Sequence, residues 1–304
     1  MVTLERWVNS WIERRSIRLA PATISSYRRL VLKYITPSPT GQMQIDQIAP
    51  EDLIVLLSPI LAKGFTRQAQ LTQILINAAM KDATRQRIIP WNPMECVDRI
   101  HHRKTATAWL TADEAEQLLN SARDAGDPLY TAWILGLCCG LRRGEILGLK
   151  WSDIDFAGST MHIQRQRVRV DGRILETPPK SDTSNREIPL ADQVREHLRK
   201  MRRIGAEYVL EHDGQPITDK ILEHGLDMAI CRAGVRRITL HGMRHTMAAT
   251  AATNGVPIKI LQAIMGHAQY TTTADIYAHV DRTAIINAVQ TITKATLCAR
   301  LEIA

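Results

Sequence analysis

Apolar positions near the start of the chain recur on a helical period. Leu4, Trp7, Val8, Trp11 and Ile12 stand at i, i+3, i+4, i+7 and i+8, which puts them on one helix face. A second helix is expected after Pro21, with Tyr27, Leu30, Val31 and Tyr34 inward and Pro37 and Pro39 closing it. A third starts at Pro50, a residue suited to a first turn, where Glu51 and Asp52 complement the positive helix end. It turns Leu53, Leu56, Leu57 and Ile60 inward and stops at Gly64. A fourth runs from about Thr66 to Arg87, with Leu71, Ile74, Leu75 and Ala78 expected in the core. Periodicity then fades over 88–108, a stretch with two prolines and the basic patch His101-His102-Arg103-Lys104.

Beyond that patch the pattern becomes mixed. Thr111-Ala112-Asp113-Glu114 has the form of a capping box ahead of Ala115, Leu118 and Leu119. A helix is expected over about 128–139, ended by Gly140 in a left-handed cap. Met161 to Arg169 alternates in part, Asp171-Gly172 supplies a hairpin turn, and Arg173 to Glu176 returns. Arg186 to Leu190 reads as a third strand, placed at an edge because Pro189 has no N–H to donate. From Ala191 helices are expected nearly to the end. The fold class is therefore mainly α with a small antiparallel β-sheet. An N-terminal helical bundle covers 1–95, a basic linker 96–108, and a second domain 109–304 that ends in a tail helix.

Composition narrows the class of partner. The 304 residues carry 39 Lys and Arg against 31 Asp and Glu, a formal +8 that suits a polyanion. The five cysteines (Cys96, Cys138, Cys139, Cys231, Cys298) are odd in number and show no C-x-x-C spacing. Neither a disulfide framework nor a zinc site is expected, and Cys138 and Cys139 read as small buried hydrophobes within an apolar run. No stretch approaches the ~20 apolar residues of a membrane span, and the start of the chain is charged and amphipathic rather than a leader. A cytoplasmic protein without membrane contact, metal or cofactor is the expectation.

Three segments place phosphate-binding or proton-transfer groups where packing alone would not call for them. In Gly140-Leu141-Arg142-Arg143-Gly144-Glu145, a guanidinium beyond one helix end and before the next projects a planar fork of donors, and Glu145 is spaced to hold it. In His241-Gly242-Met243-Arg244-His245, a helix would put His241 and Arg244 on one face, an imidazole beside a cation. The third, Met265-Gly266-His267 followed by a Thr-rich turn and Tyr277, offers a nucleophile, with Tyr270 as an alternative. Each has a bland reading: a surface ion pair, a structural histidine, a packing tyrosine.

Taken together, the order Gly-Leu-Arg-x-x-Glu, a hairpin lysine, His-x-x-Arg-His, Gly-His and a tyrosine ten residues later resembles the tyrosine recombinases, or phage-type integrases. The resemblance runs end to end. It implies a SAM-like core-binding domain in the helical bundle and a catalytic domain after it. Gly242-Met243 and Met265 depart from commoner family residues without removing a catalytic group. Carried onto this chain, it implies that Tyr277 is the nucleophile and that Arg142 and Arg244 stabilise the pentacoordinate phosphorus. His241 would be the base, Lys180 the proton donor to the departing 5′ oxygen, His267 a further phosphate ligand, and Glu145 the group that orients them. No cofactor is implied. The expected partner is double-stranded DNA with paired core sites, bound by a tetramer of this chain, with accessory DNA-bending proteins left open. Arg28, Arg29, Lys33, Arg67, Arg103 and Lys104 are the candidates for DNA contacts outside the catalytic centre. An apolar stripe at Ile285, Ile286, Val289, Ile292 and Leu297 would pack on its own domain or, as the resemblance favours, dock on a neighbouring subunit. The bundle begins almost at Met1, so the extra arm-site domain of many integrases is not expected. Two alternatives remain: a type IB topoisomerase-like relaxing enzyme, and a DNA-binding protein without catalysis.

Overall fold

The computed structural model describes residues 2–102, 107–179, 184–212 and 214–266. The chain divides into two compact units: residues 1–105 with 170–173, and 106–169 with 174–304.

The first unit is helical. Helix α1 (Leu4–Arg15) is capped by Thr3, whose hydroxyl accepts from the Arg6 N–H, and it buries Leu4, Trp7, Val8, Trp11 and Ile12 as the spacing predicts. The Trp7 indole N–H also reaches the Ala79 carbonyl at 2.8 Å, so the ring packs without an orphaned donor. Helix α2 (Pro21–Leu30) continues into a π-turn, Val31–Ile35, and the short α3 (Pro39–Gln42) follows. Helix α4 (Pro50–Ala62) buries Leu53, Leu56, Leu57 and Ile60.

Helix α5 (Thr66–Arg85) corrects the expected face. Ile74 is 47% exposed, whereas the buried stripe runs through Ala69, Thr72, Leu75, Ile76, Ala79, Met80 and Ala83. Two polar residues in that stripe disguise its phase. Thr72 satisfies its hydroxyl on the Gln68 carbonyl, and Gln73 spans to the Asp98 carbonyl and the Ile100 N–H. Buried Asp82 near the end of α5 pairs with Arg14, Arg15 and Arg85, so three of the surface arginines are tied to one carboxylate.

The second unit packs α6 (Ala112–Asp124), α7 (Tyr130–Leu137), α8 (Arg143–Gly148), α9 (Asp192–Met201), α10 (Asp219–Ala233) and the start of α11 (Leu240–Thr253) around a core that includes fully buried Trp133, while α12 (Ile258–Met265) buries Leu261 and Met265 against Ala248 of α11 in a smaller cluster. The capping box at Thr111 and Glu114 forms as read. Helix α7 is shorter than expected, and Cys138 just beyond it is exposed while Cys139 is buried, which corrects the pairing of the two as core residues.

The strands also depart from expectation. Rather than one sheet, β1 (Ile154–Asp155), β2 (Thr160–Ile163) and β5 (Arg186–Pro189) form a three-stranded sheet, β5 at its edge, whereas β3 (Gln166–Val170) and β4 (Arg173–Thr177) pair only with each other. The break falls at Gln164 and Arg165, whose side chains both turn to the buried Asp153 carboxylate. That polar anchor ends β2 and re-aims the chain before β3. The stretch after α9 is not purely helical either, since β6 (Glu211–His212) and β7 (Gln215–Pro216) make a small antiparallel ribbon. Among the described residues no helix is long and apolar enough to cross a membrane.

Candidate active site

The site grows from the turn between α7 and α8. Gly140 adopts φ +64, and a Cβ there would lie 2.2 Å from the Met247 Cε, so glycine suits both the conformation and the space. The turn delivers Arg142 to the N-cap position of α8. Three residues on, Glu145 is 2% exposed and reaches back to that cap: its Oε2 accepts from the Arg142 backbone N–H at 2.9 Å, and its Oε1 from Arg142 Nη1 at 2.6 Å. A negative side chain in the first turn also suits the helix dipole.

Arg186 on β5 enters from another direction. Its fork donates to both Glu145 oxygens, Nη1 to Oε1 and Nη2 to Oε2, each at 3.1 Å, and its Nε donates to the Ile264 carbonyl at 2.6 Å. Sequence reasoning missed this arginine. It sits in a polar run that reads as surface, and 41 residues separate it from Glu145.

Helix α11 supplies the remaining groups. Thr239 caps it by accepting from the Gly242 N–H, and the helix places His241 and Arg244 as the i, i+3 spacing requires. Arg244 has no exposed surface; Nη1 donates to the Gly140 carbonyl at 2.5 Å and Nη2 to the Met265 carbonyl. Its Nε is buried and has no partner among the described residues. The Arg142 Nη2 donates to the Gly266 carbonyl at 2.9 Å. Three successive carbonyls at the end of α12 (Ile264, Met265 and Gly266) thus each receive a different guanidinium, Arg186, Arg244 and Arg142 in turn. Cations at the negative end of a helix dipole are favourably placed.

The charges shift one another. Burial pushes the Glu145 carboxyl up, but hydrogen bonds and charge from Arg186 and Arg142 outweigh it and hold it below the usual range. Burial first, then the charges of Arg142 and Arg186, lowers Arg244 to about 9 against the opposing pull of Glu145, so it stays cationic at neutral pH. The His241 ring stands edge-on to His245, centroids 4.7 Å apart. Burial, then His245, Arg244 and Arg142, lowers its pKa to about 4, although the residue keeps an exposed face. His245 is lowered too, by burial and by Arg244. Two neutral imidazoles beside cationic guanidiniums form a place where an anion is attracted and a proton can be taken up.

The structure brings together Arg142, Glu145, His241 and Arg244, and adds Arg186. Lys180, His267 and Tyr277 lie outside the described residues, as do Tyr270, Arg103, Lys104 and the apolar stripe from Ile285 to Leu297. In the first unit Arg28, Arg29, Lys33 and Arg67 are all exposed. Lys33 sits over the Tyr34 and Phe65 rings, and Arg67 donates to Gln70. Among the described residues no cluster of three or more His, Cys, Asp or Glu side chains is arranged to hold a metal.

A tyrosine recombinase XerC-like protein of Caldanaerobacter subterraneus subsp. tengcongensis is 28% identical over 231 residues, 67% of this chain and 57% of that protein. A tyrosine recombinase XerC of Bacillus pumilus is 24% identical over 298 residues, covering 94% of this chain and 95% of its own length. The solved integrase of transposon Tn1549, bound to a circular intermediate DNA, shares the fold at TM-score 0.80 and 22% identity over 96% of this chain and all of that one. A lambda integrase tetramer bound to a Holliday junction matches at TM-score 0.69 and 20% identity, over 93% of this chain and 78% of that one. The phage integrase family model matches residues 108–283, more than half of the sequence. The chain belongs to the phage integrase family, the tyrosine recombinases.

Proposed function

We propose that this protein is a site-specific DNA recombinase that cuts and rejoins strands through a 3′-phosphotyrosine at Tyr277 and exchanges them through a Holliday junction. One observation carries the reading. Two guanidiniums, Arg142 and Arg244, and the neutral imidazole of His241, from segments about a hundred residues apart, lie close enough to shift one another's charge, in a chain of the integrase family.

A phosphodiester repels a nucleophile with its charge and has a poor leaving group. Arg142 and Arg244 would hold the non-bridging oxygens and stabilise the additional charge of the pentacoordinate transition state. The Tyr277 hydroxyl attacks phosphorus as His241 takes its proton. The bond to the 5′ oxygen breaks, and Lys180 supplies that oxygen with a proton. His267 would bind a further phosphate oxygen, and Glu145 orients the arginines. The covalent link conserves bond energy, so a second strand's 5′-hydroxyl reverses the step without ATP. Arg244 is fully buried, so phosphate binding entails uncovering it. Residues 1–95 and the linker over 96–108 would grip the core site through Arg28, Arg29, Lys33, Arg67, Arg103 and Lys104. A tetramer on two paired sites is the working assembly.

The test mixes the protein with DNA fragments spanning the ends of its own genetic element, quenches with SDS, and looks for protein joined covalently to DNA. A covalent species absent from Tyr277→Phe, ending in a free 5′-hydroxyl, is the expected result and maps the site. A Tyr277→Phe protein that still forms the species overturns the assignment, and cleavage independent of a specific paired site would favour a relaxing enzyme.

A further inference from the structure

Donor bookkeeping separates the arginines of the site. Arg186 has five N–H groups and four are occupied: Nε on Ile264 O, Nη1 on Glu145 Oε1 and the Ser184 carbonyl, and Nη2 on Glu145 Oε2. Its side chain is 6% exposed. Arg142 is 30% exposed, and among the described residues its Nε and one Nη2 hydrogen carry no bond, so it can meet an incoming anion. Both guanidiniums donate to Glu145 Oε1, while Oε2 accepts from Arg186 Nη2 and from the Arg142 backbone N–H, and Arg142 is the more exposed of the two.

We infer that Arg186 is a positioning residue for the cleavage step, fixing through Glu145 the direction in which Arg142 presents its free donors to the scissile phosphate. The inference rests on the recombinase reading above. A carboxylate held by Arg142 alone could swing about its side-chain torsions and carry the guanidinium with it. The bidentate fork removes that freedom, and its Nε bond to Ile264 anchors the fork to the end of α12. Arg186 itself, enclosed and nearly saturated, has nothing to offer the DNA. A lysine keeps the charge but cannot bridge two oxygens in a plane, so Arg186→Lys removes the orientation while leaving the electrostatics largely in place.

The test compares single-turnover cleavage of two duplexes carrying the site mapped by the covalent-complex assay. One has an ordinary scissile phosphodiester. The other has a methylphosphonate there, which lacks the charged non-bridging oxygen that Arg142 would stabilise. A misdirected Arg142 should slow Arg186→Lys about 10²-fold on the phosphodiester. On the methylphosphonate the loss should be under about threefold, because little charge is left to stabilise. KM should move little on either. On an Arg142→Ala background, Arg186→Lys should add nothing further, since both act on one interaction. Equal losses on both duplexes, a change confined to KM, multiplying losses on the Arg142→Ala background, or no loss would each overturn the inference. If Arg186→Lys fails to fold, Arg186→Gln goes through the same comparison, and failure of both to fold overturns it as well, since the residue is then structural. A wild-type protein that cuts neither duplex defeats the recombinase reading itself.

Discussion

Replacing Glu145 by glutamine tests how far one buried carboxylate organises the second unit. Glu145 accepts four hydrogen bonds, two from Arg142 and two from Arg186, and also opposes the burial that depresses Arg244. A glutamine keeps one acceptor oxygen and turns an NH2 group toward N–H donors, so about half of those bonds become donor–donor contacts. The change also leaves Arg186 and Arg244 as buried cations without their anion. Removing one partner of a buried ion pair typically costs 3–5 kcal/mol, and the oxygen that remains argues for the lower end, about 3 kcal/mol. With a urea slope of roughly 2–3 kcal/mol/M, the midpoint of the transition that reports Trp133 and Trp151 should fall by about 1–1.5 M at pH 7. The pH dependence has a definite sign. Glu145 has a folded pKa below its ordinary 4.5, so its contribution is present above that value and is lost as pH falls through the depressed folded value. The gap between the wild type and Glu145→Gln should therefore close in acid. A midpoint within the equivalent of about 1 kcal/mol of wild type at pH 7, or a gap that does not narrow in acid, would refute the reasoning.

Two further outcomes follow from the same geometry. His241 stays neutral until about pH 4, so if it is the base, kcat/KM for cleavage should be flat on the acid side from about pH 8 to about pH 5; an acid limb near an ordinary histidine's 6.5 would remove it from that role. Gly140→Ala places a Cβ in left-handed backbone against the Met247 Cε and should cost about 1–3 kcal/mol, read as a melting temperature lower by roughly 3 °C or more; an unchanged melt would show that the turn accommodates a side chain.

The limits of sequence reasoning here have physical causes. The face of α1 was legible because all its buried positions are apolar and its exposed ones polar. The face of α5 was not, because Thr72 is buried with a local hydrogen bond, Gln73 is buried with bonds to residues 25 and 27 positions away, and Ile74 is left outside. Partial alternation over 161–169 suggested one strand, and nothing local announced that Gln164 and Arg165 would both turn to Asp153. Within the site, Arg142 with Glu145, and His241 with Arg244, sit three residues apart, where helical spacing makes a neighbour readable. Arg186 joins them only through the pairing of β5 with β2, a tertiary event with no local signature. Its burial is likewise invisible in a run as polar as Ser184-Asn185-Arg186-Glu187.

The clasp on the end of α12 also bears on the order in which the chain can become active. Its bonds join residues 124, 78 and 21 apart in sequence, from Arg142 to Gly266, Arg186 to Ile264 and Arg244 to Met265, and Arg244 also reaches Gly140, 104 residues away. Closing loops of that length carries an entropic cost that is recovered only once the surrounding elements have condensed, so such contacts form late in folding. A half-folded chain, whether nascent or refolding, can already display its surface arginines. It cannot yet align the groups that would break a strand. For a chain proposed to cut DNA, long-range assembly of the site is a safeguard written into the topology itself.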